Sequence, residues 1–113
     1  ERQIQVVHDQ WNNPTWTVSL AQALHQMINE GLNGLIHFGG ADLLNRYQFS
    51  RMIAKTFELD ESLISAISTS DLGQMAPRPL KCGLKTQLIE SKLGVKPMSL
   101  LESLSLIART CSA

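Results

Sequence analysis

The sequence predicts a mixed α/β domain with about four helices and three short strands. Three observations carry this. β-branched runs alternate with apolar stripes at helical spacing. A helical pattern returns to a strand pattern through Asn33-Gly34, the kind of connection parallel strands need. Two stretches, Asn45 to Gln48 and Ser99 to Glu102, have capping-box spacing ahead of apolar runs.

Gln3 to His8 is rich in β-branched residues and reads as the first strand. Asp9 to Pro14 is turn-forming, and Asn13, preceding a proline, is pushed out of the helical region. From Thr17 to Glu30 the chain reads as a helix whose stripe is Leu20, Ala21, Leu24, Met27 and Ile28, with Gly31 as a left-handed stop. Leu35 to Phe38 reads as a second strand, closed by Gly39-Gly40. Asn45 opens the next helix, with Phe49, Met52, Ile53 and Phe57 as its buried stripe. After a turn from Asp60 to Leu63, Ile64 to Ser68 alternates like a third strand. Thr69 to Lys85 is a long loop with room for one helical turn, and loops of that length are usually functional or mobile. Thr86 is expected to cap a short helix ending at Leu93 and stopped by Gly94. The last helix follows Ser99, with Leu100, Leu101, Leu104, Ile107 and Ala108 as its apolar face.

The 113 residues suffice for one small domain. Ten basic residues balance ten acidic ones, and no run of like charge exceeds a pair, so nothing argues for nucleic acid or an anionic membrane surface as partner. No apolar stretch approaches the roughly 20 residues of a membrane span. No signal peptide is visible, and the start at Glu1 reads as the middle of a polypeptide. Cys82 and Cys111 form neither a disulfide framework nor a zinc pattern, and read as reduced thiols in a cytoplasmic protein. His8, His25 and His37 are too far apart for a common metal motif, and no metal site is expected.

Asp9-Gln10 and Pro14-Thr15 lie just past a strand end, where ligands gather in open α/β proteins. A carboxylate, an amide and a hydroxyl there can bind a polar ligand, or can satisfy turn and helix N-terminal amides. Pro77-Arg78-Pro79 holds a guanidinium between two fixed φ angles. That suits recognition of phosphate or carboxylate, and equally an internal ion pair with Asp9 or Asp71. Gly39-Gly40 lacks the company of a phosphate loop and reads as strand-exit or cap chemistry. Tyr47 and Arg51 have the spacing of a dehydrogenase dyad, but arginine is a poor proton relay, so packing is the better reading. Trp11 and Trp16 flank the turn and either stack on a ring or pack with one end wet. No catalytic triad, Cys-His pair or acid pair stands out.

Together these segments resemble the reductases that make dTDP-rhamnose from dTDP-4-dehydrorhamnose, within the extended short-chain dehydrogenases/reductases. The matching text is V-V-H-D-Q-W-N-N-P-T at 6–15, G-L-I-H-F-G-G at 34–40, N-R-Y-Q-F-S-R-M-I-A at 45–54, A-P-R-P-L-K-C-G-L-K-T at 76–86 and L-G-V-K-P at 93–97. The resemblance implies the C-terminal substrate-side part of an extended Rossmann-type reductase. The glycine-rich turn that binds NADP or NAD and the catalytic Ser/Thr, Tyr and Lys set are not in this chain. It implies no catalytic and no cofactor-binding residue here, and assigns Asp9, Gln10, Pro14, Thr15 and Arg78 to the nucleotide-sugar pocket. Lys81-Cys82-Gly83 and Lys85 depart from the family's usual small polar residues and Asp or Asn. Some members hold magnesium between subunits through glutamates, a site the resemblance does not locate here.

The implied partners are a nucleotide-sugar substrate, an N-terminal cofactor domain outside this chain and, within the family's range, a homo-oligomer. In the complete fold the first and third strands would pair in the small subdomain, and 35–38 would join the edge of the cofactor-domain sheet. Alone, that segment should expose apolar surface and favour self-association or partial disorder. The alternative function is a non-catalytic subunit of the same fold, like the regulatory subunit of methionine adenosyltransferase, because fold alone does not secure activity. An independent small domain with another role is the weaker third reading.

Overall fold

The computed structural model describes residues 2–111, so Glu1, on which the reading of the chain start rests, lies outside them. β1 (Ile4–Val7) pairs in parallel with β4 (Ile64–Ile67), Ile4 opposite Ile64 and Val7 opposite Ile67. The His8 amide extends the ladder to the Ile67 carbonyl at 3.0 Å. The expected pairing of the first and third strand runs is therefore found. Between them come α1 (Thr17–Asn29) and α2 (Arg46–Thr56), and α2 packs on both strands and on α5 (Leu100–Cys111).

Local chemistry sets most element ends. α1 closes in a Schellman motif: the Gly31 amide reaches Ile28 O at 3.1 Å, the Leu32 amide reaches Met27 O at 2.9 Å, and Gly31 has φ +61°. At α2 the Asn45 Oδ1 accepts from the Gln48 amide at 2.8 Å, and the Asn45 amide donates to Gln48 Oε1 at 3.2 Å, the expected capping box. Ser99 and Glu102 form the second box, and Asp42 adds a carboxylate that accepts from the Leu100 amide at 2.7 Å. The helical turn inside the long loop is α3 (Thr69–Leu72), capped by Ser68. Before it, Glu61–Leu63 forms a 3-10 turn capped by Asp60. α4 (Gln87–Leu93) ends at Gly94 as expected, but Thr86 does not cap it: its hydroxyl donates to Glu90 Oε2 at 3.0 Å instead.

The 35–38 segment forms no strand among the described residues, and Leu35 is 83% exposed, the uncovered apolar surface expected of it without a neighbouring sheet. Other expectations need correction. A small antiparallel pair was not anticipated: β2 (Trp11–Asn12) against β3 (Leu44–Asn45). Two residues are too few to show a period in sequence. On α1 the stripe is inverted in use. Leu20, Ala21, Leu24 and Ile28 are exposed and only Ala23 is buried. On α5, Leu101 is exposed while Ser103 is buried beside Leu100 and Leu104.

The molecule is a plate, 47 × 39 × 19 Å, with a radius of gyration of 16.3 Å, where a compact chain of this length has about 13 Å. Its accessible surface is 7984 Å², against about 6,200 Å² for a compact monomer of this mass. The uncovered apolar side chains of α1, together with Leu35, contribute to that excess.

Candidate nucleotide-sugar site

The 9–15 segment leaves the carboxyl end of β1 and is tied down on three sides. On the first, the Asp9 carboxylate accepts the Thr69 hydroxyl at 2.6 Å and the Thr69 amide at 3.1 Å, at the start of α3. The Thr69 hydroxyl, then its amide, holds Asp9 below the ordinary carboxylate range, so it is ionised near neutrality. Gln10 is buried, and its Nε2 donates to Thr69 Oγ1 at 3.1 Å and Gln74 Oε1 at 3.2 Å.

On the second side lies the loop that carries Arg78. The Trp11 amide donates to Leu80 O at 2.7 Å, and the Cys82 amide donates to Trp11 O at 2.9 Å. Asn13 Oδ1 accepts from the Leu84 amide at 2.7 Å. On the third side lies Gly39-Gly40. Asn13 Nδ2 donates to Gly40 O at 3.0 Å, and the Gly40 amide donates to Thr15 Oγ1 at 3.1 Å. A Cβ on Gly40 would stand 2.0 Å from the Pro14 carbonyl oxygen, so only glycine fits there. Gly40 thus serves close backbone approach rather than a helix cap, while Gly39 faces the side chains of Asn13, Leu84 and Thr15.

The structure thus gathers the 9–15 segment and the Arg78 loop into one unit. Asp9, Gln10 and Thr15 satisfy groups of their own chain. Pro14 and Thr15 line a cleft of about 410 Å³ with Val6, Asn12, Arg46, Phe49 and Ser50. Arg78 is exposed and has no ion pair among the described residues; Asp9 is engaged by Thr69, and Asp71 by Ser68. Trp16 lines a small cavity together with Pro14, Phe49, Leu100 and Leu104. Tyr47 carries the Arg51 guanidinium 5.9 Å from its ring centre, and Arg51 pairs with Glu61 at 2.8 Å, in keeping with packing. Thr69, Gln74 and Asn13 were missed in the sequence. Asn13 alone had a signal, its place before a proline.

Arg46, with no ion pair among the described residues, borders this half-buried cleft and can meet a polar, anionic ligand there, whereas Arg78 does not line it. A dinucleotide cofactor is a different matter. The space at Gly39-Gly40 is filled by Asn13, Pro14 and Leu84, so the pair offers no open phosphate cradle.

Comparison with solved structures defines the class. A dTDP-4-dehydrorhamnose reductase from Clostridium acetobutylicum superposes over 100% of this chain with a TM-score of 0.91 at 26% identity, using 40% of its own length. The same enzyme from Bacillus anthracis, solved in complex with NADP, gives 0.88 at 22% identity over 97% of this chain and 39% of its own. The fold is that of the C-terminal, substrate-side portion of an extended Rossmann-type reductase. The sequence profile described as the RmlD substrate binding domain matches residues 1–112, and the chain belongs to that family. A dTDP-4-keto-6-deoxy-D-glucose reductase of Streptomyces niveus is 31% identical over 77 residues, 66% of this chain and 27% of that protein. The spore coat polysaccharide biosynthesis protein SpsK of Bacillus subtilis is 28% identical over 104 residues, 92% of this chain and 36% of SpsK. The chain therefore spans well under half the length of these relatives. Among the described residues no helix is long and apolar enough to cross a membrane.

Proposed function

We propose that this chain is the substrate-binding part of an NAD(P)H-dependent reductase acting on a nucleotide sugar of the dTDP-4-dehydrorhamnose type, and that it is not catalytic alone. The observation that carries the reading is the joining of the 9–15 segment to the Arg78 loop in a chain that matches the substrate-binding family along its length. In this reading Arg78 meets the diphosphate, its planar fork held by flanking prolines. Pro14 and Thr15 border the sugar, and Asp9 and Gln10 support the site from within. The nicotinamide cofactor and the proton donor belong to a dinucleotide-binding domain outside these residues, which packs on α1 and on the 35–38 edge.

The test is NADPH oxidation by the full-length protein with dTDP-4-dehydrorhamnose. Turnover is expected, and Arg78→Ala should weaken dTDP binding by about ten- to a hundredfold, the scale of a charge-assisted hydrogen bond. Binding of dTDP without turnover would instead favour a non-catalytic subunit of this fold. No dTDP binding at all would refute the substrate assignment.

A further inference from the structure

We propose that Thr69 and Gln74 are positioning residues: with Asp9 and Gln10 they form a clasp that sets the Arg78 loop on the 9–15 segment and thereby tunes nucleotide binding. The part concerning binding rests on the reading above, in which Arg78 meets the nucleotide.

Thr69 is the centre of the clasp. Its hydroxyl donates to Asp9 at 2.6 Å and accepts from Gln10 at 3.1 Å, so one side chain joins an ionised acceptor to a buried donor. The second Gln10 donor bond goes to Gln74, the first anchored residue of the loop. On the far side of Arg78 the next anchor is Leu80, whose carbonyl accepts from Trp11 at 2.7 Å. The arch from Gln74 to Leu80 therefore stands on two consecutive residues, Gln10 and Trp11. Pro77 and Pro79 stiffen it on either side of Arg78. Releasing the Gln74 foot frees the arch on one side while the backbone bonds of Leu80, Cys82 and Leu84 remain. The guanidinium would then sample more positions, and ordering it on binding would cost more.

The experiment compares Thr69→Val, Thr69→Ser and Gln74→Ala in the full-length protein. It reads dTDP affinity by calorimetry and amide hydrogen exchange peptide by peptide. Thr69→Val keeps the side-chain shape and removes the hydroxyl. It should speed exchange in peptides covering 9–13 and 74–84 and not in α5, and weaken dTDP binding about tenfold, the scale of one or two lost hydrogen bonds. Thr69→Ser should restore both. In an Arg78→Ala background, Thr69→Val should cost little further affinity, because its effect passes through Arg78. Equal losses in both backgrounds would overturn positioning through Arg78. Unchanged exchange and unchanged affinity would overturn the clasp itself. Should Thr69→Val fail to fold, Gln74→Ala, an exposed substitution, decides by the same two readouts. If Arg78→Ala leaves dTDP binding intact while exchange still rises in Thr69→Val, the nucleotide reading fails and the clasp stands.

Discussion

Gly40→Ala offers the most direct measure of how tightly the site segment is held. The added methyl would sit 2.0 Å from the Pro14 carbonyl oxygen and 3.2 Å from its carbonyl carbon. The obstacle is backbone, so it cannot swing aside as a side chain tip would. Relief requires moving the Pro14 peptide by about 1.4 Å, to reach ordinary van der Waals separation. That shift stretches the Asn13 to Gly40 bond, now 3.0 Å, and the Gly40 to Thr15 bond, now 3.1 Å. Two hydrogen bonds at about 1 kcal/mol each, with overpacking strain of about 1–3 kcal/mol, give a loss of about 3–5 kcal/mol. At about 2–4 °C per kcal/mol, this lowers the melting temperature of a protein of the relatives' size by roughly 6–20 °C. Gly39→Ala is the internal control, because its methyl would meet the Asn13 Cβ at 3.2 Å and needs a much smaller adjustment. Differential scanning calorimetry of both variants in the full-length protein is the assay. A Gly40→Ala protein melting within about 2 °C of the parent, no more than an effect of about 1 kcal/mol, would refute the claim that this glycine is required by the Pro14 approach. It would also remove the argument that Thr15 is placed by its bond to the Gly40 amide.

Other expectations concern caps, protons and the uncovered face. Asn45→Ala removes one half of a capping box at a buried position and should lower stability by about 1 kcal/mol, read from the urea midpoint at unchanged m-value. Asp9 is depressed by the Thr69 hydroxyl and amide, so its contribution to stability is fully present above the ordinary carboxylate range, near pH 4. It is lost as pH falls through the lower folded value; Asp9→Asn should flatten that acid limb of a urea-midpoint profile, and an unchanged slope would contradict the bond assignment. The isolated 113-residue chain should self-associate through α1 and Leu35, since Leu24 is 49%, Ile28 76% and Leu35 83% exposed. Ile28→Lys with Leu35→Lys should shift it toward monomer in light scattering, and persistence of the oligomer would place the sticky surface elsewhere.

The sequence by itself determined what is local. The strand runs at Ile4–Val7 and Ile64–Ile67, the box at Asn45 and Gln48, the Gly31 stop and the box at Ser99 and Glu102 all depend on neighbours within a few residues, where periodicity and capping chemistry act. The quoted segments also sufficed to point to the family. Tertiary structure alone decided the rest. The β2–β3 pair joins segments far apart in the chain, and each is too short to carry a pattern. Which side of α1 is buried cannot follow from an apolar stripe, because a stripe fits any partner, and most of this one faces outward. Asp9 and Gln10 were legible as polar groups past a strand end. Their partners Thr69 and Gln74 lie 60 and 64 residues on, brought close only because β4 lies alongside β1 and delivers the start of α3 to the end of that strand. A turn carboxylate can reach a ligand or a backbone amide, and only the fold brings the Thr69 amide to Asp9.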